Sequence, residues 1–308
     1  MSGILSRRTI LGTSLAVGGF ALARAAEAAR PRLGVVTGVS EKTTPDEAIR
    51  KVHAFGLPTC QVHVGSVPEL GLAAPLRAAL DKYQVEATAL MTLGPGTMVW
   101  DFYSGPKMIG LVPPATRAAR VDALKRASDL AKACGVKAVH THCGFIPENP
   151  NDPLYSETVE AIRDVANHCK ANGQIFLMET GQESPITMLR AIQDAGTGNI
   201  NVNLDTANLI LYGKGEPVGA LDVLGRYVRG LHAKDGMYPT DPKKLGREVA
   251  IGQGRVNFPK VIKSLHALGY TGPITIEREI SGPQQEADIR KSKTFLEQLI
   301  SATYSQAS

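Results

Sequence analysis

Tyr227-Val228-Arg229-Gly230-Leu231-His232-Ala233-Lys234-Asp235-Gly236 begins as an apolar, strand-like run and ends in a polar cluster followed by glycine. Three other runs share this shape. Ile175-Phe176-Leu177-Met178 ends in Glu179, Val202-Asn203-Leu204 ends in Asp205, and Ile274-Thr275-Ile276 ends in Glu277. Each is short and rich in β-formers, and each finishes on a side chain able to ligate a metal. Three carboxylates and one imidazole on separate strand ends point to one site assembled across a parallel sheet.

The rest of the chain supplies four more such strands. They are expected over Arg32–Thr37, Cys60–Val64, Val85–Leu93 and Val136–His142. Helical patterns alternate with them. Thr44-Pro45-Asp46-Glu47 has an N-cap, proline at the first position and acids in the first turn. Pro68–Lys82 carries a stripe of Leu70, Leu72, Leu76 and Leu80. Ala115–Cys134 runs up to Gly135, and Ser156–Asn172 up to Gly173. Further helices are expected near Pro185–Ala195, Pro217–Leu224 and Pro259–Leu268, with a last one from about Gln284 to Ser301. Eight strands alternating with eight helices over roughly 270 residues match a single (β/α)₈ TIM barrel, placed at residues 31–304. The strands are Val/Ile/Leu-rich, as in sheets buried on both faces. A doubly wound sheet would want a glycine-rich phosphate loop after its first strand; here that strand ends in Thr37-Gly38-Val39-Ser40. Gly252-Gln253-Gly254 lies far downstream and lacks a third glycine, so it carries little weight as a nucleotide loop.

Residues 1–28 read as a signal segment. Arg7-Arg8 precede an apolar run that continues to about Ala23, and Ala23-Arg24-Ala25 and Ala26-Glu27-Ala28 are small-x-small cleavage sites. The paired arginines match a twin-arginine leader and imply export to the periplasm. The apolar run is too short for a span of about 20 residues, so no stable membrane insertion is expected once it is removed. Leaving out Arg7, Arg8, Arg24 and Glu27 lowers the net charge from +5 to +3. That balance, with no basic stripe and no interleaved aromatics, argues against nucleic acid. Cys60, Cys134, Cys143 and Cys169 form no close-spaced pair. Cys134 and Cys169 fall in helical patterns as core residues, and Cys143 is placed where it could line the site.

In a parallel barrel the active site lies where the C-terminal strand ends meet. Glu179, Asp205, His232 and Glu277 would line one sector of that mouth. Their donor set suits one divalent ion of hard or borderline character. Mn²⁺ or Mg²⁺ is favoured, Co²⁺ or Zn²⁺ are alternatives, and a structural Cys/His zinc site is not indicated. The bland alternative is that each acid caps the helix that follows its strand. His140 and His142 stand two apart on one strand and face the same way, so His142 is a substrate-contact candidate, with a hydrogen-bonded core histidine as the alternative. His63 and Gln182 are further candidates. Trp100 and Tyr103 lie in the long segment Gly94–Pro114, a lid candidate, and Tyr238–Arg255 is a second one.

At these residues the chain resembles the xylose-isomerase-like barrels, the sugar phosphate isomerase/epimerase superfamily. The resemblance covers nearly all of the chain beyond the leader and is strongest over 175–279. It is carried by Leu177-Met178-Glu179, Asn203-Leu204-Asp205-Thr206, Leu231-His232-Ala233-Lys234-Asp235, Gly252-Gln253-Gly254-Arg255-Val256-Asn257-Phe258 and Ile274-Thr275-Ile276-Glu277. It implies that Glu179, Asp205, His232 and Glu277 hold one divalent metal that grips a carbonyl and adjacent hydroxyl of a sugar. It also implies that Glu179 and Glu277 carry the proton through an enediolate, a role chemistry assigns to paired carboxylates beside a cation. Ketose epimerases have a histidine three residues after the ligand aspartate; here that position is Asn208, which cannot shuttle a proton at neutral pH. Lys234-Asp235 resembles the inosose-dehydratase and sugar-phosphate branches, where Lys234 could hold an oxyanion or phosphate; a solvated lysine or a partner of Asp235 is the plain alternative. The expected function is therefore a metal-dependent sugar isomerase or epimerase acting on a small sugar or keto-sugar. The rival is a lyase or dehydratase on a keto-sugar, inosose or oxidised glycoside. An abasic-site endonuclease would need extra histidines and a basic face, and a non-catalytic sugar-binding protein would hold no metal. A homo-oligomer is compatible with all of these.

Overall fold

A computed structural model describes residues 30–305, so the leader expected over 1–28 lies outside the described residues. Eight strands close into a parallel barrel: β1 (Leu33–Gly38), β2 (Thr59–His63), β3 (Glu86–Met91), β4 (Ala138–Thr141), β5 (Ile175–Glu179), β6 (Ile200–Asp205), β7 (Val228–Ala233) and β10 (Ile274–Ile276). The first strand pairs with the last, Leu33 opposite Ile274, which excludes an open doubly wound sheet. The expected strands are all present, with ends shifted by a few residues.

Side-chain alternation explains why these runs look continuously apolar. On β5, Phe176 and Met178 join the main core between barrel and helices, while Leu177 belongs to a small separate cluster with Ala89 and Ala138 inside the barrel. Both faces of the strand are buried, so both sets are apolar until Glu179. Burying one such large side chain contributes about 1.5–3 kcal/mol before entropy is subtracted.

Helices α1 (Pro45–Ala54), α2 (Ala73–Tyr83), α3 (Pro114–Cys134), α4 (Pro153–Ala171) and α5 (Pro185–Ala195) follow the first five strands. The Thr44 signature forms a capping box with Glu47. The segment from Pro68 departs from expectation. It enters through a 3₁₀ turn at Leu70–Leu72, and only Leu76 and Leu80 of the leucine stripe are fully inside; Leu70 is exposed. After β6 come a single-turn helix α6 (Asn208–Leu211), which sequence periodicity cannot show, and α7 (Pro217–Leu224). An antiparallel ribbon of β8 (Asp235–Met237) and β9 (Arg247–Val249) precedes α8 (Phe258–Ala267), so of the expected lid Tyr238–Arg255 only Arg247–Val249 is paired as a strand. Helix α9 (Pro283–Tyr304) completes the ring. No helix among the described residues is long and apolar enough to cross a membrane. All four cysteines are free and buried. Cys143 sits in the apolar core, so it packs rather than lining the site.

Candidate metal centre and active site

Register brings the strand ends level. Asp205 lies opposite His232, which lies opposite Thr275, two residues before Glu277. His232 Nδ1 is 3.1 Å from Glu179 Oε1, 3.3 Å from Glu277 Oε2 and 3.8 Å from Asp205 Oδ2. Ligand atoms of all four residues lie within 4.8 Å of one another. Atoms held about 2.1 Å from a common ion are about 3–4.2 Å apart, so small rotations would close the shell. Glu179, Asp205 and His232 are almost completely buried, while Glu277 keeps 15% of its side chain open to the mouth.

The carboxylates are not spent on structure alone. Asp205 Oδ1 accepts from the N–H groups of Ala207 and Asn208 at 2.8 and 2.7 Å, capping the first turn of α6. Its Oδ2 is buried without a hydrogen-bond partner, and so is Glu179 Oε2. Asp205 Oδ2, with no hydrogen bond, and Glu179 Oε2, approached only by the His140 and His142 rings, converge beside an imidazole nitrogen and fit a hard divalent cation. The helix-cap reading thus holds for one oxygen of Asp205 and leaves the other free for a ligand.

Charge reinforces this fit. Burial pushes Glu179 up, but His142, His232 and His140 outweigh it and hold the carboxyl well below its ordinary range. Burial also pushes Glu277 up, and Lys234 and His232 bring it below normal. Asp205 goes the other way: burial raises it well above normal, Lys234 opposes, and Glu277 and Glu179 add to the rise. Burial alone would lower His232, but Glu179 and Glu277 raise it well above an ordinary histidine. With its three carboxylates ionised, its imidazole neutral and Lys234 charged, the group would carry two negative charges. One divalent ion would offset them, leaving no net charge buried.

A second layer orients the ligands. Gln61, wholly buried on β2, accepts from His232 Nε2 at 2.9 Å and donates to Asn203 Oδ1 at 3.0 Å. A Cβ on Gly230 would overlap Asn203 Oδ1, so glycine is required there. With a proton kept on Nε2, the Nδ1 that faces the carboxylates is the atom left for an ion. Neither Gln61 nor Asn203 stood out in the sequence; the available signal was a polar residue inside an apolar strand. His140 and His142 both face Glu179, their Nε2 atoms 2.8 and 3.2 Å from its Oε2. His140 is thus part of the centre, where sequence alone left it between core and site.

The remaining candidates divide. Asn208 donates to Glu179 Oε1 at 3.3 Å and accepts from Lys234 Nζ at 3.1 Å, so it belongs to the site. Gln182 Oε1 is 3.3 Å from His142 Nδ1. His63 is half-buried and receives the N–H of its own turn residue Gly65, outside the cluster. Lys234 is neither solvated nor paired with Asp235. It is buried, and its ammonium also reaches Glu277 Oε2 at 3.2 Å and Glu279 Oε1 at 2.5 Å. Glu279 lies past the strand and had no sequence signal. The Asp235 carboxylate instead gathers the N–H groups of Gly236, Gly252, Gly254 and Val256 at 2.9–3.1 Å. That is the task of the Gly252-Gln253-Gly254 motif. Trp100 stands at the lip, its ring 5.1 Å from His142 and 40% exposed, while Tyr103 points to solvent. Arg120, fully buried, ties this segment down through the carbonyls of Pro95, Met108 and Gly110.

The family described as "Xylose isomerase-like TIM barrel" matches residues 49–299. The chain belongs to that family. Among solved xylose-isomerase-like structures, a xylose isomerase domain protein from Planctomyces limnophilus is 34% identical, with a TM-score of 0.81 over 89% of this chain and 99% of that one. A D-tagatose 3-epimerase-like protein has the same fold at 17% identity and a TM-score of 0.68, over 90% of this chain and all of its own. An uncharacterized protein of Methanocaldococcus jannaschii is 25% identical over 191 residues, 58% of this chain; the match spans 62% of that curated relative.

Proposed function

We propose that this barrel is a metal-dependent sugar isomerase or epimerase that moves a proton next to a carbonyl through an enediolate. The observation that carries the reading is the convergence of Glu179, Asp205, His232 and Glu277, with Asp205 Oδ2 left without a hydrogen bond. The likeness to a D-tagatose 3-epimerase-like protein supports the class. A bound Mn²⁺ or Mg²⁺ would supply positive charge beside the substrate carbonyl, where negative charge develops as the neighbouring carbon loses its proton.

The chain's own groups do the rest. Glu277, ionised beside Lys234 and open to the mouth, is placed to take or return the proton at Oε1 or Oε2. Glu179 is the second carrier, steered by His140, His142 and Asn208. Gln182 and His142 orient the sugar hydroxyls, and Trp100 shields the centre from bulk water. Asn208 stands where ketose epimerases keep a histidine, which favours a substrate other than a simple ketose. It also keeps elimination from a keto-sugar or oxidised glycoside as the second reading.

A screen of keto-sugars with the Mn²⁺-loaded protein in deuterated buffer decides between them. Deuterium at the carbon beside the carbonyl, with no loss of water or aglycone, is the expected result. Elimination products would transfer the assignment to a lyase, and a protein that takes up no divalent ion would end both readings.

A further inference from the structure

We infer that Glu279 is a specificity-determining residue that restricts this site to uncharged sugars, because it occupies the one donor of Lys234 that faces the mouth. The inference rests on the proposed function, since it assigns the substrate class of that same centre. An ammonium has three N–H donors. Around Lys234 Nζ stand Asn208 Oδ1 at 3.1 Å, Glu277 Oε2 at 3.2 Å and Glu279 Oε1 at 2.5 Å, with Asp205 Oδ2 farther off at 3.7 Å. Three donors meet three acceptors, and the lysine side chain is 1% exposed. Nothing of it is left to grip a phosphate or a sugar carboxylate.

The three acceptors differ in position. Asn208 and Glu277 belong to the centre, whereas Glu279 has 58% of its side chain exposed and approaches from the solvent side. Its backbone is held by the Glu248 carboxylate, which accepts the Glu279 N–H at 3.2 Å. An anion entering the mouth must displace Glu279 from Lys234 or meet its charge head-on. The other nearby cations are committed. Arg278 pairs with Glu248 and Asp288 at 2.8 and 2.9 Å, and Arg120 with backbone carbonyls. Three ligand carboxylates balance Lys234 and a divalent ion, so Glu279 leaves the mouth net negative. Discrimination by a built-in repulsive group is the cheaper route to specificity when attractive contacts are few. Glu279 acts on the neutral-versus-anionic choice.

Inorganic phosphate is the probe, titrated calorimetrically into the wild-type chain, Glu279→Gln and Glu279→Ala, each with and without Mn²⁺. Both variants should fold, since the side chain is mainly exposed. Phosphate should bind Glu279→Ala at least about tenfold more tightly than wild type, the size expected for releasing a charge-assisted hydrogen bond, and Glu279→Gln more tightly by a smaller factor. Glu279→Gln, which keeps an acceptor but loses the charge, separates repulsion from occupancy. Equal phosphate affinity in all three proteins would overturn the inference. A wild-type chain that takes up no Mn²⁺ would instead remove the proposed function, while the ion-free comparison would still decide the role of Glu279.

Discussion

His232 can serve a metal through Nδ1 only if its proton sits on Nε2, and Gln61 is the group that receives that proton. The Gln61 amide is oriented in turn by Asn203, so the ring is aimed by a chain of two amides. Gln61→Met keeps the length of the side chain and removes the acceptor. It should weaken Mn²⁺ binding by about 10–100-fold, the usual cost of losing such an outer partner, while Gln61→Glu, which still accepts, should stay near wild type. Calorimetric titration of the two variants measures this, and undiminished affinity in Gln61→Met would show that the amide does not orient the ring. The clustering of Glu179, Asp205, His232 and Glu277 was legible in the sequence because each follows a strand-like run. Gln61 was not, because a glutamine inside an apolar run does not reveal which residue it will face.

At the scale of elements, the barrel strands and their helices were legible because periodicity and caps are local properties. The Thr44–Glu47 capping box and the helices of Pro185–Ala195 and Pro217–Leu224 appear where the sequence places them. The β8–β9 ribbon was not legible, since three-residue strands carry no pattern and its register depends on Asp235. That carboxylate organises the loop through four N–H groups, and a Cβ at Gly254 would overlap both its oxygen and the Gly236 nitrogen. Gly254→Ala should therefore destabilise the protein by about 1–3 kcal/mol in urea unfolding, through the lost charge-assisted bonds. The ribbon amides should also lose protection in hydrogen exchange. A variant as stable as wild type, with unchanged protection, would mean that the loop has room to yield.

For the whole molecule, ion binding is an exchange of charge. Asp205, chiefly by burial, and His232, against its burial by Glu179 and Glu277, are both raised well above their ordinary values, so protons would compete there with a cation. Uptake should release protons, and affinity should fall as pH is lowered, because protonated ligands cannot coordinate. Titrations in buffers of different ionisation enthalpy give the proton count directly; a count near zero would show that the carboxylates and imidazole are not the ligands. Removal of the ion by chelation should lower the melting temperature, as for any ligand that binds only the folded state.

The sequence by itself determined the barrel, the order of its elements and which four strand-end side chains would meet. Alternating strands and helices can close in few ways, and parallel strands deliver all their C-terminal ends to one mouth. Only the tertiary structure decided that Gln61 aims His232, 171 residues away, that Lys234 is buried with every donor taken, and that Glu279 shields it from the mouth. Those facts rest on distances across the closed barrel and on which polar atoms find partners there, and neither is encoded in the local pattern of residues.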